Sequence, residues 1–165
     1  MALAMKMNKD YHRWIYCILG DGEQNEGNVW EAAMFTAKYN LHNVIAITDR
    51  NNIQIDGTTE RVMPLEDLRA KWESFGWHVI DIDGNDIDAV IDACAMARAI
   101  VEKPVMILAH TIPGKGVDFM EGDYHWHGIP VGLADVAGAP PKNEQARVAL
   151  HELRTLEGKI RSEHE

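Results

Sequence analysis

Two short polar motifs follow apolar runs and carry side chains that are good ligands for a divalent cation. Asp21, within a Gly-Asp-Gly tripeptide, follows the apolar residues 15–19, and Asn51 follows the apolar residues 44–47. Such runs predict buried strands, and residues 28–40 between them predict a helix. Since neighbouring parallel strands end on the same edge of a sheet, where ligands bind, we expect Asp21 and Asn51 to meet on one cation that carries a diphosphate.

Neither motif is specific by itself, and their joint placement carries the prediction. Tripeptides such as Gly-Asp-Gly usually form plain turns. Magnesium prefers near-octahedral oxygen ligands and usually takes one or two protein groups together with phosphates. The Asp21 carboxylate, the Asn51 amide oxygen and a backbone carbonyl just beyond would suit it. Gly22 would let the backbone approach a phosphate without a Cβ in between.

Composition restricts the class of protein and its partners. The chain has 165 residues, of which 46% are hydrophobic, and this suits one domain with an ample core. The formal net charge of −10 argues against a nucleic-acid partner, although backbone N–H groups can still bind phosphate. No apolar run approaches the roughly 20 residues of a membrane span, so no membrane partner is expected. Cys17 and Cys94 lie in apolar segments, which favours buried thiols over a disulfide and predicts a cytoplasmic location.

Alternating strands and helices predict an α/β fold, in which a parallel sheet is flanked by helices. We expect strands at residues 14–19, 44–48, 77–82 and 104–109, helices at 1–8, 28–40, 64–75, 87–101 and 143–164, and loops or linkers at 50–60, 111–130 and 132–141. Asn28 should cap the second helix, and Gly76 should end the third. Four strands are few beside a mean of about 5–6 per sheet, and the first helix resembles the end of a longer one, so we expect further sequence upstream.

The motif pair resembles the thiamine diphosphate motif, and the residues around it resemble the transketolase family. The matching segments are Gly-Asp-Gly-Glu-Gln-Asn-Glu-Gly at 20–27, Trp-Glu-Ala at 30–32, Ile-Gln-Ile-Asp-Gly at 53–57, Phe-Gly-Trp-His at 75–78 and His-Gly-Ile-Pro at 127–130. The chain is most similar to the N-terminal subunit of transketolases that are split over two genes. The resemblance covers residues 1–132 and implies a partial diphosphate-binding domain there, followed by a linker and a C-terminal helix at 133–165.

The resemblance implies a set of binding residues. Asp21 and Asn51 match the Mg²⁺ ligands of the family, and Ile53 matches the residue that adds a backbone carbonyl ligand. Ile55 matches the apolar residue that packs on the rings of the cofactor. The cofactor-binding residues that follow from the resemblance are Gly20, Asp21, Gly22, Glu23, Asn51, Ile53, Ile55 and His127.

Two catalytic residues, His127 and Glu26, are implied in the same way. His127 matches a histidine near the diphosphate and the substrate, which would help to position the sugar donor. Glu26 and Glu31 match glutamates of a subunit interface, where they join a proton network between two active sites, so the face that carries them is expected to self-associate. Without the resemblance, solvated charges at the start of a helix would be the preferred interpretation of Glu26 and Glu31, and an exposed loop histidine that of His127.

The activity implied is transfer of a two-carbon ketol unit from a ketose phosphate to an aldose phosphate, as in the pentose phosphate pathway, with thiamine diphosphate and Mg²⁺. In the family, the cofactor lies between this domain and a pyrimidine-binding domain of another subunit, which supplies the glutamate that activates the aminopyrimidine. No segment of this chain resembles that domain, nor the substrate-binding segment that precedes this one in the family. We therefore expect a subunit truncated at its N-terminus, which needs a pyrimidine-domain partner for catalysis.

Several alternatives stay open. Another thiamine enzyme, of the deoxyxylulose-phosphate synthase or pyruvate dehydrogenase type, shares the central motif, and a non-catalytic remnant could bind only a partner or the cofactor. Lys115 could contact phosphate or lie in a plain surface turn. A metal site at His125 and His127 is disfavoured, because these residues lack cysteine or carboxylate partners at zinc spacing.

Overall fold

The computed structural model describes residues 1–10, 12–133 and 135–163, with side-chain surroundings as far as residue 153. The chain forms two compact units. The first comprises Met1–Asn52 and Thr59–Thr111, and the second comprises Ile53–Thr58 and Ile112–Glu165. The strands are β1 (Ile15–Gly20), β2 (Val44–Arg50), β3 (Ile53–Gln54), β4 (Gly57–Thr58), β5 (His78–Asp83) and β6 (Val105–His110). The helices are α1 (Ala2–Met7), α2 (Gly27–Lys38), α3 (Thr59–Val62), α4 (Leu68–Ser74), α5 (Ile87–Ala99) and α6 (Lys142–Glu163).

A four-stranded sheet forms the centre of the first unit, with strand order β1-β2-β6-β5 and every neighbouring pair parallel. This confirms the predicted fold class, a parallel sheet flanked by helices. The register pairs Gly20 with Asp49 and Arg50 with His110, so the carboxyl ends of β1, β2 and β6 lie level with one another. The polar residues that follow these strands therefore lie at one edge of the sheet.

Helices cover the sheet on both faces, and small residues allow close packing. On one face, Ala33 of α2 and Trp72 of α4 pack with Met106 of the sheet. On the other face, Ala93 and Ala97 of α5 pack with a group of apolar strand residues, Ile45, Ile80, Val105 and Ile107. The small alanine side chains let the helix axis lie close to the branched residues of the strands.

Local sequence signals explain where α4 and α5 begin and end. The Asp67 carboxylate accepts a hydrogen bond from the Ala70 N–H at 3.2 Å, and the Asp86 carboxylate accepts one from the Asp88 N–H at 3.0 Å, so both are N-caps. Gly76 follows α4 with a φ of +86°, a conformation that favours glycine, and ends the helix as predicted.

Several sequence predictions are wrong in detail. β1 was expected to be buried, yet Tyr16, Cys17 and Ile18 are exposed, because β1 pairs with a neighbour on one side only and forms an edge of the sheet. The expected burial of the Cys17 thiol is therefore wrong, and Cys94 is half-buried; both are free cysteines. Asn28 does not cap α2, because the helix begins at Gly27 and Glu26 occupies the N-cap position.

Two predicted segments also differ from the structure. The predicted loop at 50–60 contains β3, β4 and the start of α3. The helix expected from residue 64 begins only at Leu68, after the cap of α4. The last helix extends over Lys142–Glu163, and the predicted end at His164 lies outside the described residues, as does Ala134 in the predicted linker.

The second unit contains β3, β4 and α6. Its β3 and β4 pair as a short antiparallel hairpin, with Ile53 opposite Thr58. Gln145 of α6 is buried, and its side-chain oxygen accepts a hydrogen bond from the Gly132 N–H at 2.7 Å, which fastens the preceding loop to the helix. The proposed domain boundary at residue 132 stays a prediction. Among the described residues, no helix combines the length and the apolar character that crossing a bilayer requires.

Met106 in β6 tests the core of the first unit, because its side chain is fully buried, at 0% exposure, and its sulfur contacts the Thr48 hydroxyl at 3.3 Å. We expect Met106→Ala to lower the free energy of unfolding by about 2–5 kcal/mol, through lost burial and a residual cavity. Met96→Ala is the matched control, since Met96 on α5 is 55% exposed. Urea unfolding of both variants measures the difference, and an equal loss in both would contradict the described core.

Candidate functional site

Asp21 lies directly after β1 and is buried, at 2% exposure. Its Oδ2 accepts hydrogen bonds from the Asn52 backbone N–H at 2.7 Å and from the Arg50 guanidinium at 3.0 Å. Its Oδ1 is buried and has no hydrogen-bond partner among the residues that the structure describes. Burial of a carboxylate oxygen without a hydrogen bond costs free energy, and a cation bound to that oxygen would offset this cost.

Arg50, the last residue of β2, is the principal partner of Asp21 and was not predicted as a site residue. Its guanidinium is 2% exposed and contacts the Thr59 hydroxyl at 3.1 Å and the Glu66 carboxylate at 2.5 Å, with Glu60 at 3.6 Å. The available signal was its position, since a charged residue between a buried strand and Asn51 lies at the edge where ligands bind.

Asn51 is held by a second set of polar side chains. Its Nδ2 donates a hydrogen bond to Asp49 Oδ2 at 3.1 Å, and the Thr111 hydroxyl donates a close hydrogen bond to Asp49 Oδ1. Since the amide nitrogen faces Asp49, the amide oxygen is the atom suited to ligate a cation. The loop after β1 is also tied locally, because Glu23 Oε2 accepts a hydrogen bond from the Gly20 N–H at 3.3 Å.

Burial and charge act in opposite directions on these groups. Burial raises the pKa of the Asp21 carboxyl above its ordinary value, and this effect outweighs the opposing influence of Arg50 and of the Asn52 N–H. Burial alone would lower the pKa of Arg50, but its contacts with Glu66 and Asp21 raise it further, so the guanidinium stays charged. Burial therefore disfavours the charged form of Asp21, and the contacts within the fold do not fully offset this effect.

Glu26 and Glu31 occupy exposed positions at the start of α2, where Glu26 is the N-cap residue and makes no side-chain capping hydrogen bond. Their carboxylates are thus accessible on the surface of the first unit. The proton network and the self-association that the resemblance implies for them stay predictions.

Gly22 begins a short 3₁₀ helix directly after Asp21, whereas three further predicted site residues, Ile53, Ile55 and His127, belong to the second unit. Ile53 in β3 is buried, whereas Ile55 between β3 and β4 is 76% exposed, which is unusual for so apolar a side chain. His127 is exposed and follows a short 3₁₀ turn, where its backbone N–H donates to the Tyr124 carbonyl at 2.9 Å. Trp126 beside it is buried and packs edge-on against Phe119.

The described part of the chain holds no metal-binding group made only of His, Cys, Asp and Glu. No cluster of three or more such side chains is present there. An oxygen site built from one carboxylate, one amide oxygen and one backbone carbonyl would not form such a cluster. The chemistry of the residues around Asp21 therefore fits Mg²⁺ that is shared with phosphate oxygens better than an all-protein metal centre.

In parallel α/β sheets, ligands bind at the carboxyl edge, where this chain places the buried carboxylate of Asp21. A carboxylate in that position is a group that Mg²⁺ commonly takes together with phosphates. The chain belongs to the transketolase family: the model of the family's thiamine diphosphate-binding domain matches residues 2–144.

Named relatives agree with this assignment. The chain is 46% identical over 132 residues to one subunit of the apulose-4-phosphate transketolase of Phocaeicola vulgatus, covering 79% of this chain and 46% of that protein. It is 48% identical over 129 residues to the 6-deoxy-6-sulfo-D-fructose transketolase subunit SqwG of a Clostridium species, covering 78% of this chain and 46% of that protein. The chain thus spans about half the length of these relatives.

Solved structures of transketolases have the same fold. A Pichia stipitis transketolase variant in complex with fructose 6-phosphate is 29% identical and superimposes with a TM-score of 0.74, covering 92% of this chain and 22% of that chain. The Campylobacter jejuni transketolase is 26% identical with a TM-score of 0.69, covering 98% of this chain and 28% of that chain.

Asp123 in the second unit permits a test of pH dependence. Partial burial would raise its pKa, but hydrogen bonds from the His125 backbone at 3.0 Å and ring at 2.6 Å hold the pKa below its usual range. A lowered carboxyl pKa contributes stability that is present above the unfolded-state pKa, about 3.9, and is lost as the pH falls through the folded-state pKa. We expect Asp123→Asn to cost at most about 1 kcal/mol at pH 7, because the pair is partly exposed.

The difference between Asp123→Asn and the unchanged chain should narrow as the pH falls below about 4. Urea unfolding at a series of pH values measures this, with Asp92→Asn, an exposed residue of α5, as the control. A stability difference that is constant over the whole pH range would show that the Asp123 carboxylate does not contribute through its charge.

Proposed function

We propose that this chain is the diphosphate-binding part of a transketolase, in which Asp21 and Asn51 hold a Mg²⁺ ion that carries the diphosphate of thiamine diphosphate. The observation that carries this proposal is the buried Asp21 Oδ1, which lacks a hydrogen-bond partner among the described residues. The backbone carbonyl of Ile53 is proposed as a third ligand, from its place two residues after Asn51 and from the family resemblance.

The residues around the carboxylate suit this role. Asp21 is held through Oδ2, so Oδ1 can ligate a cation without loss of the contacts to Asn52 and Arg50. A Cβ added at Gly20 would meet no atom within 4 Å, so the space beside this part of the loop is open. Gly22 and Glu23 complete the proposed diphosphate loop, in which Glu23 fixes the Gly20 N–H.

When bound, thiamine diphosphate supplies the carbanion and the electron sink for ketol transfer. The chain's own residues are proposed to bind the cofactor and to orient the sugar donor. The exposed side chain of Ile55 offers an apolar surface for the cofactor rings, and exposed His127 is proposed to position the sugar donor or its phosphate. Glu26 and Glu31 are proposed to join a second copy through the exposed start of α2.

The names of the relatives support a partner and a class of substrate. Two relatives are named as subunits of transketolases, which supports a separate partner protein that carries the pyrimidine domain. Their names specify a sugar phosphate and a sulfonated sugar, which favours an anionic ketose as donor and an aldose phosphate as acceptor. The free thiols of Cys17 and Cys94 suit a cytoplasmic location.

Replacement of the proposed ligands tests the cation site. We expect Asp21→Asn and Asn51→Ala each to weaken Mg²⁺-dependent binding of thiamine diphosphate by more than about tenfold, because loss of outer partners of a metal site already costs that much. Isothermal titration calorimetry with and without Mg²⁺ measures the effect. Asp92→Asn on α5 is the control, and unchanged affinity in both ligand variants would remove the proposed site.

The requirement for a partner is tested by activity. We expect the isolated chain, supplied with thiamine diphosphate and Mg²⁺, to transfer no two-carbon unit from a ketose phosphate to an aldose phosphate. Addition of a pyrimidine-domain subunit should give turnover, because that subunit supplies the other side of the cofactor site. Asp21→Asn with the same partner should stay inactive. Turnover by the isolated chain would contradict the proposed requirement for a partner subunit.

A further inference from the structure

A closed ring of hydrogen bonds lies behind the proposed cation ligand, within the first unit. Asp21 Oδ2 accepts from the Asn52 N–H at 2.7 Å, and the Asn52 carbonyl accepts from the Thr59 N–H at 3.0 Å. The Thr59 hydroxyl accepts from Arg50 Nη1 at 3.1 Å, and the same nitrogen contacts Asp21 Oδ2 at 3.0 Å. We call these four residues, Asp21, Arg50, Asn52 and Thr59, the Arg50 ring.

The Arg50 ring joins two points that are separated in the chain by the segment Ile53–Thr58. Asn52 immediately precedes this segment and Thr59 immediately follows it, so the ring fixes the distance between its two ends. The segment carries Ile53, the proposed carbonyl ligand, and Ile55, the proposed contact of the cofactor rings. Arg50 contacts the Asp21 carboxylate and Thr59 through its side chain, whereas Asn52 contacts the same two residues through its backbone.

A guanidinium close to a cation site would oppose cation binding if its charge were not balanced. Glu66 contacts Arg50 Nη2 at 2.5 Å and Glu60 lies at 3.6 Å from the same nitrogen, so one cation faces three carboxylates when Asp21 is included. These glutamates hold the guanidinium through the nitrogen that Asp21 does not use. The net charge of the group therefore remains negative, and it favours a further cation.

We propose that Arg50 is a positioning residue of the cation site. It holds Asp21 through Oδ2, which leaves Oδ1 as the ligating oxygen, and it connects that carboxylate to Thr59, directly after the Ile53–Thr58 segment. Asn52, directly before the segment, binds the same carboxylate through its own backbone N–H. The role of Arg50 rests on the proposed function. It requires the planar fork of arginine, because one nitrogen serves Asp21 and Thr59 while the other serves Glu66. A lysine ammonium has the same charge but lacks this fixed geometry.

The substitution Arg50→Lys separates the geometry from the charge. We expect it to weaken binding of Mn²⁺ in the presence of thiamine diphosphate by roughly tenfold to a hundredfold, the usual effect of losing an outer partner of a metal site. Titration of the chain by calorimetry and by the electron paramagnetic resonance of free Mn²⁺ measures the affinity. Hydrogen exchange at the Asn52 and Thr59 amides, followed without cation, should become faster because the ring is opened.

Arg69→Lys is the matched control, because Arg69 also bridges two carboxylates, Asp81 at 2.7 Å and Glu73 at 2.9 Å, but at 45% exposure. We expect it to change neither Mn²⁺ affinity nor exchange at Asn52 and Thr59. Thr59→Val is a second test, and it takes the place of Arg50→Lys if that variant does not fold. It keeps the shape of the side chain and removes one acceptor of the ring, and it should lower the affinity in the same direction by a smaller factor.

The outcomes distinguish this proposal from the proposed function. If the unchanged chain takes up no Mn²⁺, the proposed function fails, and with it the role of Arg50. If the unchanged chain binds Mn²⁺ and Arg50→Lys binds it equally well with a lower unfolding temperature, Arg50 is only structural and this inference is overturned. Tighter binding by Arg50→Lys would show that Arg50 competes with the cation, which also overturns it.

Discussion

The first unit depends on one buried ion pair, between Asp21 and Arg50, whose side chains are 0% and 2% exposed. Removal of two charges from water is costly, and the attraction between them offsets this cost only when further hydrogen bonds are present. The Asn52 backbone and Glu66 supply such contacts. One oxygen of Asp21 nevertheless has no hydrogen-bond partner among the described residues, so the fold maintains a buried anion beside the end of a strand.

The register of the sheet explains why this anion lies where a ligand can be bound. β1 and β2 are paired so that Gly20 lies opposite Asp49, and the residues after both strands therefore leave the sheet at the same level. The helix between the strands packs on one face and leaves this edge to polar loops. The chain thus carries the family's thiamine diphosphate-binding domain. The proposed cation site rests on these few polar contacts, whereas the proposed sugar and partner rest on the named relatives.

The sequence was sufficient for the fold class but not for the environment of single residues. Apolar runs and helical patterns depend on neighbours in the chain, and they predicted four parallel strands with helices between them. The exposure of Ile18 could not be predicted, because it depends on which strand forms the edge of the sheet. Arg50 was not predicted for a similar reason, since its burial depends on Thr59 and Glu66, which the fold brings to it.

The central claim is that the unsatisfied oxygen of Asp21 is a cation ligand. The most direct measurement is the anomalous diffraction of Mn²⁺ in a crystal of this chain grown with thiamine diphosphate. We expect a single strong peak at ligand distance from Asp21 Oδ1 and the Asn51 amide oxygen, slightly longer than the roughly 2.0–2.1 Å of Mg²⁺ because Mn²⁺ is the larger ion. A peak at other residues, or an Asp21 that keeps its present contacts with no cation beside it at saturating Mn²⁺, would contradict the account.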